Sequence, residues 1–232
     1  MVITMKKVIS VLLVVFLLIG ACGCGMRKES KQEKMLAYIN EKYDDTFTFK
    51  RVFGGSVGSD TKKIIVSSEK FPEKDIYVIC SYPDGSEKLS DNYLGVKFEK
   101  DTNNALSDAV YNCFGPNYYL QYFPNNLACT NNGSNNTTFD EYIAEKSSYV
   151  SFIAAVRYPS TDFERSAIEE AVRQNFDGMA VVGRIYFLDA DVDLTGADGK
   201  KLYESYVESH KHFQKLYFTS SAHQIDSIEW ME

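Results

Sequence analysis

The first 22 residues constrain this chain most, because they decide which part of it folds and in which compartment. Lys6 and Lys7 are followed by an almost unbroken apolar run, residues 8–19, and then by the small pair Gly20-Ala21. This order of charged, apolar and small residues is typical of a secretory signal peptide. About twelve apolar residues are too few to cross a hydrocarbon core, which takes about 20. The sequence therefore predicts that residues 1–21 are a removed signal, not a retained transmembrane helix.

A cysteine follows directly after the small pair. Ile19-Gly20-Ala21-Cys22 resembles the lipobox of bacterial lipoproteins. The resemblance covers residues 1–22 only, and it implies that the Cys22 thiol carries a diacylglyceryl group and becomes the new N-terminus. Two acyl chains are enough for stable anchoring. We therefore expect a lipid-anchored protein on the extracytoplasmic face of the cell membrane, with ordinary secretion as the alternative. The rest of the chain resembles, in overall style, uncharacterised lipoproteins of Gram-positive bacteria, and that resemblance implies no activity.

The charge balance excludes some partners. Loss of Lys6 and Lys7 with the signal changes the formal net charge from −7 to −9. Nucleic-acid binding needs clustered lysine and arginine to neutralise phosphates, and a polybasic grip on anionic lipid needs the same. No such cluster stands out in the sequence, so we expect no nucleic-acid partner and a membrane association that rests on Cys22. An envelope protein is the partner we consider for the folded part.

The mature chain is long enough for one large domain or two small ones. Its composition changes abruptly in an Asn-rich stretch, and helix and strand patterns alternate more regularly after it. The sequence predicts five segments: a signal peptide (1–21), a short tether (22–29), an N-terminal α+β lobe (30–124), an Asn-rich loop or linker (125–138) and a C-terminal α/β-type lobe (139–232).

Local signals indicate how these segments fold. Ser30 with Glu33, and Thr138 with Glu141, match the capping box that opens a helix, and Gly115-Pro116 ends one. Segments with alternating or β-branched residues predict strands around residues 47–52, 63–67 and 76–81, with a fourth around 93–99. A meander of strands flanked by helices predicts an α+β fold in which helices pack on one face of antiparallel sheets, in one or two lobes.

Two features have the composition of a site. Asp189, Asp191 and Asp193 would lie on one side of an extended chain, and three close carboxylates suit a calcium ion. The segment fails the EF-hand rule from either starting aspartate, so a solvated acidic loop is the favoured alternative and we expect no cofactor. Four of the six residues 118–123 are aromatic, and they form either a stacking surface for carbohydrate or peptide, or the core of a strand; they are Tyr118, Tyr119, Tyr122 and Phe123.

The cysteines allow a disulfide in an exported protein. Cys113 and Cys129 would close a loop of about 15 residues, worth about 3 kcal/mol in the chain-entropy model. A free cysteine on an apolar face is the alternative.

No catalytic motif is present, so no catalytic residue is predicted. The sequence favours a non-catalytic binding or accessory module of the cell envelope. An envelope enzyme with dispersed active-site residues and a structural subunit of a membrane complex are the alternatives.

Overall fold

The computed structural model describes residues 30–53, 61–124, 133–145, 150–157, 164–188, 193–195, 199–208, 214–221 and 224–231. This part of the chain contains six α-helices and nine strands in two sheets, so the predicted α+β class is confirmed. None of these helices has the length and apolarity that crossing a membrane requires.

The chain divides into two compact units, residues 1–34 and 35–232. In the first, Ser30 N donates to Glu33 Oε2 at 2.8 Å and Glu33 N donates to Ser30 Oγ at 3.2 Å. The predicted capping box is therefore formed, and helix α1 (Lys31–Lys42) begins at the next residue.

The first sheet is an antiparallel meander in the order β1-β2-β3-β4. Its strands are β1 (Phe47–Val52), β2 (Lys62–Ser68), β3 (Ile76–Ser81) and β4 (Lys88–Asp91). Alternate residues face the core because side chains alternate along a strand, and Ile64, Val66, Ile76 and Val78 are fully or almost fully buried there.

The prediction of a fourth strand around residues 93–99 is wrong. Strand β4 ends at Asp91, and the following residues form helix α2 (Tyr93–Lys97). The backbone N–H of Tyr93, the first residue of the helix, donates to Asp91 Oδ1 at 3.0 Å. A short apolar run does not distinguish strand from helix by periodicity.

Helix α3 (Glu99–Phe114) follows α2 across Phe98, and it ends at Gly115, where φ is 79°. That conformation favours glycine, which confirms the predicted helix end. Strand β5 (Tyr118–Tyr122) and helix α4 (Phe139–Ala144) come next, and α4 opens with the predicted Thr138–Glu141 capping box.

The second sheet has the order β5-β6-β7-β8-β9. Strands β6 (Val150–Arg157) and β7 (Val181–Leu188) are parallel and joined through helix α5 (Arg165–Asn175), while the other neighbours are antiparallel. Helix α6 (Gly199–Glu208) precedes strands β8 (Gln214–Ser221) and β9 (Gln224–Met231). The β6-α5-β7 unit gives this half its α/β character, whereas β5 comes from the predicted N-terminal lobe. A division into two lobes stays a prediction.

The inner face of the second sheet packs aromatic rings around a glycine. Phe152 and Phe218 are the strand partners of Gly183 on its two sides, and Phe176 stacks on Phe152 with ring centroids 5.4 Å apart. A Cβ at position 183 would lie 2.9 Å from Phe152 Cζ and closer still to the Phe218 ring. The Phe152 and Phe218 rings thus fill the space that a side chain at position 183 would occupy.

We expect Gly183→Ala to destabilise the fold by about 1–3 kcal/mol, because the added methyl overpacks a filled core. Urea unfolding monitored by circular dichroism measures the change. Ser151→Ala, on the opposite face of neighbouring strand β6, is the control and should change stability little. Equal stability of Gly183→Ala and the wild type would contradict this packing.

Candidate functional site

Most of the residues singled out in the sequence lie outside the described residues. These are Cys22, Asp189, Asp191 and Cys129. The lipid anchor, the calcium site and the disulfide therefore stay predictions. Within the described ranges, no group of three or more His, Cys, Asp or Glu side chains is arranged to hold a metal ion.

Asp193 is described, and it serves the local backbone. Its Oδ1 accepts hydrogen bonds from Thr195 N at 2.9 Å and from Thr195 Oγ1 at 2.7 Å. These bonds lower the pKa of the carboxyl group. The next residue, Leu194, is buried, and its N–H donates to Asn117 Oδ1 at 2.8 Å. Residues 193–195 are thus fixed beside the second sheet by contacts that need no ion.

Cys113 is half-buried on helix α3, against helix α5. Its Sγ donates to the carbonyl oxygen of Ala171 at 3.4 Å. Burial raises the pKa of the thiol to about 12, so the nucleophilic thiolate is scarce at neutral pH.

The aromatic residues of strand β5 do not share one surface. Tyr118 and Tyr122 point to the inner face, where their hydroxyl groups pair with Ser107 Oγ and, at 3.0 Å, with Tyr142 Oη. Tyr119 alone points to the outer face of the second sheet. The interpretation as strand core therefore describes Tyr118 and Tyr122, and among the tyrosines of β5 a stacking role is left only for Tyr119. Phe123 follows the strand, and its N–H donates to the carbonyl oxygen of Ser151 at 3.1 Å.

On the outer face, Tyr119 belongs to a cluster that the sequence did not predict. The ring of Tyr203, on helix α6, stacks on Tyr119 and meets Tyr186 edge to face, with both centroid distances 5.5 Å. Burial, followed by the interaction with Tyr186, raises the pKa of Tyr203 to about 12. Lys215 Nζ lies 5.4 Å from the centroid of the Tyr186 ring. Helix α6 thereby covers one end of this face.

The rest of the outer face is what we call the open face, defined by Ile153, Val182, Arg184, Tyr217 and Glu229. Four of them form one row across the sheet, because Ile153 pairs with Arg184, Arg184 with Tyr217, and Tyr217 with Glu229. Ile153, Val182 and Tyr217 are half-buried, whereas Arg184 and Glu229 are exposed. Neither charge forms an ion pair within the part of the chain that the structure describes.

A flat apolar centre beside charges of both signs is typical of protein–protein interfaces, in which Tyr and Arg are enriched. One signal in the sequence pointed to this surface. Arg184 is the one charged residue of strand β7, whose other residues are apolar, as expected of a position that faces outward.

The second cluster with chemical potential surrounds Asp91, whose carboxylate is fully buried. Its Oδ2 accepts from Lys42 Nζ at 2.6 Å and from Tyr38 Oη at 2.9 Å, and its Oδ1 accepts from Tyr43 Oη at 2.9 Å. With the N–H of Tyr93, four donors saturate this carboxylate. Lys42 Nζ also lies about 5 Å from the centroids of the Tyr38 and Tyr43 rings. The arrangement ties helix α1 to the end of strand β4 and leaves the carboxylate no lone pair for a substrate.

Burial, and then the Asp91 charge, raise the pKa values of Tyr38 and Tyr43. A folded pKa above the unfolded value of about 10 means that both phenols stabilise the fold fully below that pH. Their contribution is lost as the pH rises through the folded values.

Asp91→Asn should destabilise the protein by about 3–5 kcal/mol, because Lys42 then keeps a buried charge without its carboxylate partner. Thermal and urea unfolding measure this. The matched control is Asp75→Asn: Asp75 is a third exposed and pairs with Lys50 at 3.0 Å, so its loss should cost less than about 1 kcal/mol. Similar costs for the two variants would refute a structural role for the Asp91 network.

No protein-family model matches this chain, and no curated protein does. Among solved structures, the crystal structure of a DUF5037 family protein from Ruminococcus gnavus ATCC 29149 is similar, with a TM-score of 0.35 and 14% sequence identity. The match covers 84% of this chain and 93% of that chain. A likeness at this TM-score carries no argument about function.

Proposed function

We propose that this chain is a membrane-anchored extracytoplasmic lipoprotein and a non-catalytic binding or accessory module of the cell envelope. The anchor is carried by the order of charged, apolar and small residues that ends at Cys22. The binding role is supported by the open face, on which three half-buried apolar side chains adjoin the exposed charges of Arg184 and Glu229.

The chemistry of the open face favours a protein partner. Its apolar centre offers Tyr217, an aromatic residue of the type that supplies much of the binding energy at protein interfaces. Arg184 and Glu229 lie two strands apart, about 10 Å, which is too far for them to neutralise each other. A partner with an opposite pair of charges at that spacing would satisfy both. A lipid anchor restricts the candidates to proteins of the same envelope.

Cys22→Ala should accumulate as a precursor that retains residues 1–21 and carries no lipid, because the thiol is the acceptor of the diacylglyceryl group. Metabolic labelling with a fatty acid and intact-mass measurement of the purified protein test this. Cys24→Ala is the control and should be processed and labelled normally. Normal labelling of Cys22→Ala would end the anchor proposal.

A photo-cross-linking residue at position 217 should capture one reproducible envelope protein on intact cells. The same residue at position 111 is the control, because Tyr111 is exposed on helix α3 and lies outside the open face. Arg184→Glu in the position 217 background should lower the yield at least several-fold, since it reverses one of the two charges. Equal capture from both positions, or a yield indifferent to Arg184, would count against a partner at this face.

A further inference from the structure

One end of the first sheet combines exposed apolar side chains with lysines. Strand β1 ends there, and its last residue, Val52, is 60% exposed, while the following Phe53 is 42% exposed. These are two of the four large apolar side chains that are exposed within the described residues. Phe53 N donates to the carbonyl oxygen of Lys63 at 2.9 Å, which places the apolar pair beside the start of strand β2.

Three lysines lie at this same end. Lys62 and Lys63 begin strand β2, and Lys88 begins strand β4. Strand β3 connects them, because Lys62 pairs with Cys80 and Lys88 pairs with Ser81, the adjacent residue. No carboxylate within the described ranges forms an ion pair with any of the three. We call Val52, Phe53, Lys62, Lys63 and Lys88 the lysine end.

Among the described residues, the lysines of this end outnumber the acidic side chains near it. Asp84 and Glu87 are exposed in the turn between β3 and β4, and Glu87 Oε2 accepts from Tyr82 Oη at 3.0 Å. Asp60, two positions before Lys62, lies outside the described residues. The described residues of this end therefore carry an excess of positive charge on a chain whose formal net charge is −7. Exposed apolar groups with a charged rim mark sites that contact proteins or membranes, and the sign of this rim matches an anionic bilayer.

We propose that the lysine end contacts the anionic surface of the bilayer that holds Cys22, so that the domain has a second membrane contact besides its lipid. This rests on the proposed anchor. The predicted tether of residues 22–29 reaches about 15 Å as a flexible chain, so it keeps the domain near the headgroups. At that effective concentration a contact too weak to bind from solution becomes populated. Val52 and Phe53 enter the headgroup region while the lysines pair with lipid phosphates.

The test uses the full lipidated chain in liposomes, with Phe53→Trp as a probe of depth. In phosphatidylcholine vesicles containing phosphatidylglycerol, brominated acyl chains should quench the new tryptophan. Quenching should be weak without phosphatidylglycerol, and it should be lost at about 1 M salt, where the Debye length is about 3 Å. The chain without the substitution supplies the signal of Trp230, the only natural tryptophan.

Charge reversal identifies the lysines. Lys62→Glu, Lys63→Glu and Lys88→Glu together should abolish the quenching. Removal of the charge of one lysine should lower the ratio of membrane-bound to free lysine end about fivefold. The matched control is Lys100→Glu, Lys200→Glu and Lys201→Glu, which changes the net charge equally on helices α3 and α6 and should leave the quenching intact. Circular dichroism checks that both triple variants are folded.

Two outcomes overturn the proposal, and they are distinguishable. If the protein floats with vesicles in high salt but its tryptophan is quenched equally with and without phosphatidylglycerol, or equally in both triple variants, the anchor stands and the second contact is wrong. If the protein does not float in high salt, the anchor fails and the second contact fails with it.

Discussion

The buried carboxylate of Asp91 is the interaction on which the first half of the structure depends. It lies at the last residue of strand β4 and collects donors from helix α1, from the segment after α1 and from the first residue of helix α2. One side chain therefore ties helix α1 and the residue after it to the junction of strand β4 and helix α2, about 50 positions further along the chain. A buried ion is expensive to desolvate unless every lone pair is used, and this geometry uses them. A buried carboxylate beside a lysine and two tyrosines has the composition of a catalytic site. Here four donors occupy the carboxylate oxygens, which is what a structural carboxylate requires.

The two sheets share one apolar core, and a buried pair of phenols lies within it. Tyr122 Oη, from strand β5, donates to the carbonyl oxygen of Gly95 at 3.2 Å and lies 3.0 Å from Tyr142 Oη. A Cβ at position 95 would approach both hydroxyl groups within 3.3 Å, so the close approach needs a glycine in helix α2. Strand β5 is thereby joined to helices α2 and α4 by polar contacts within an apolar core, and such contacts fix orientation more narrowly than apolar packing does.

Short-range patterns predicted most of the elements, whereas long-range geometry determined the surfaces. The capping boxes at Ser30 and Thr138 and the helix end at Gly115 depend on neighbours within four residues, and the structure confirms them. The error at residues 93–99 arose because a short apolar run does not distinguish strand from helix by periodicity. The sequence marked the open face only at Arg184, since Ile153, Arg184, Tyr217 and Glu229 meet through the register of four strands. Alternation along one strand indicates the face on which a side chain lies, but not the strand beside which it lies.

The charge of a local surface likewise cannot be predicted from the composition of the chain. A net charge of −7 describes the whole chain, but a surface contact responds to charges within about one Debye length, roughly 10 Å. Lys62, Lys63 and Lys88 are separated by up to 26 positions in sequence and become neighbours because strands β2, β3 and β4 pair side by side. An acidic protein can therefore carry a local positive surface that its composition conceals. For a domain on the proposed lipid tether, we expect that local surface, and not the net charge, to determine how the domain meets the bilayer, and hence which faces are left free for a partner.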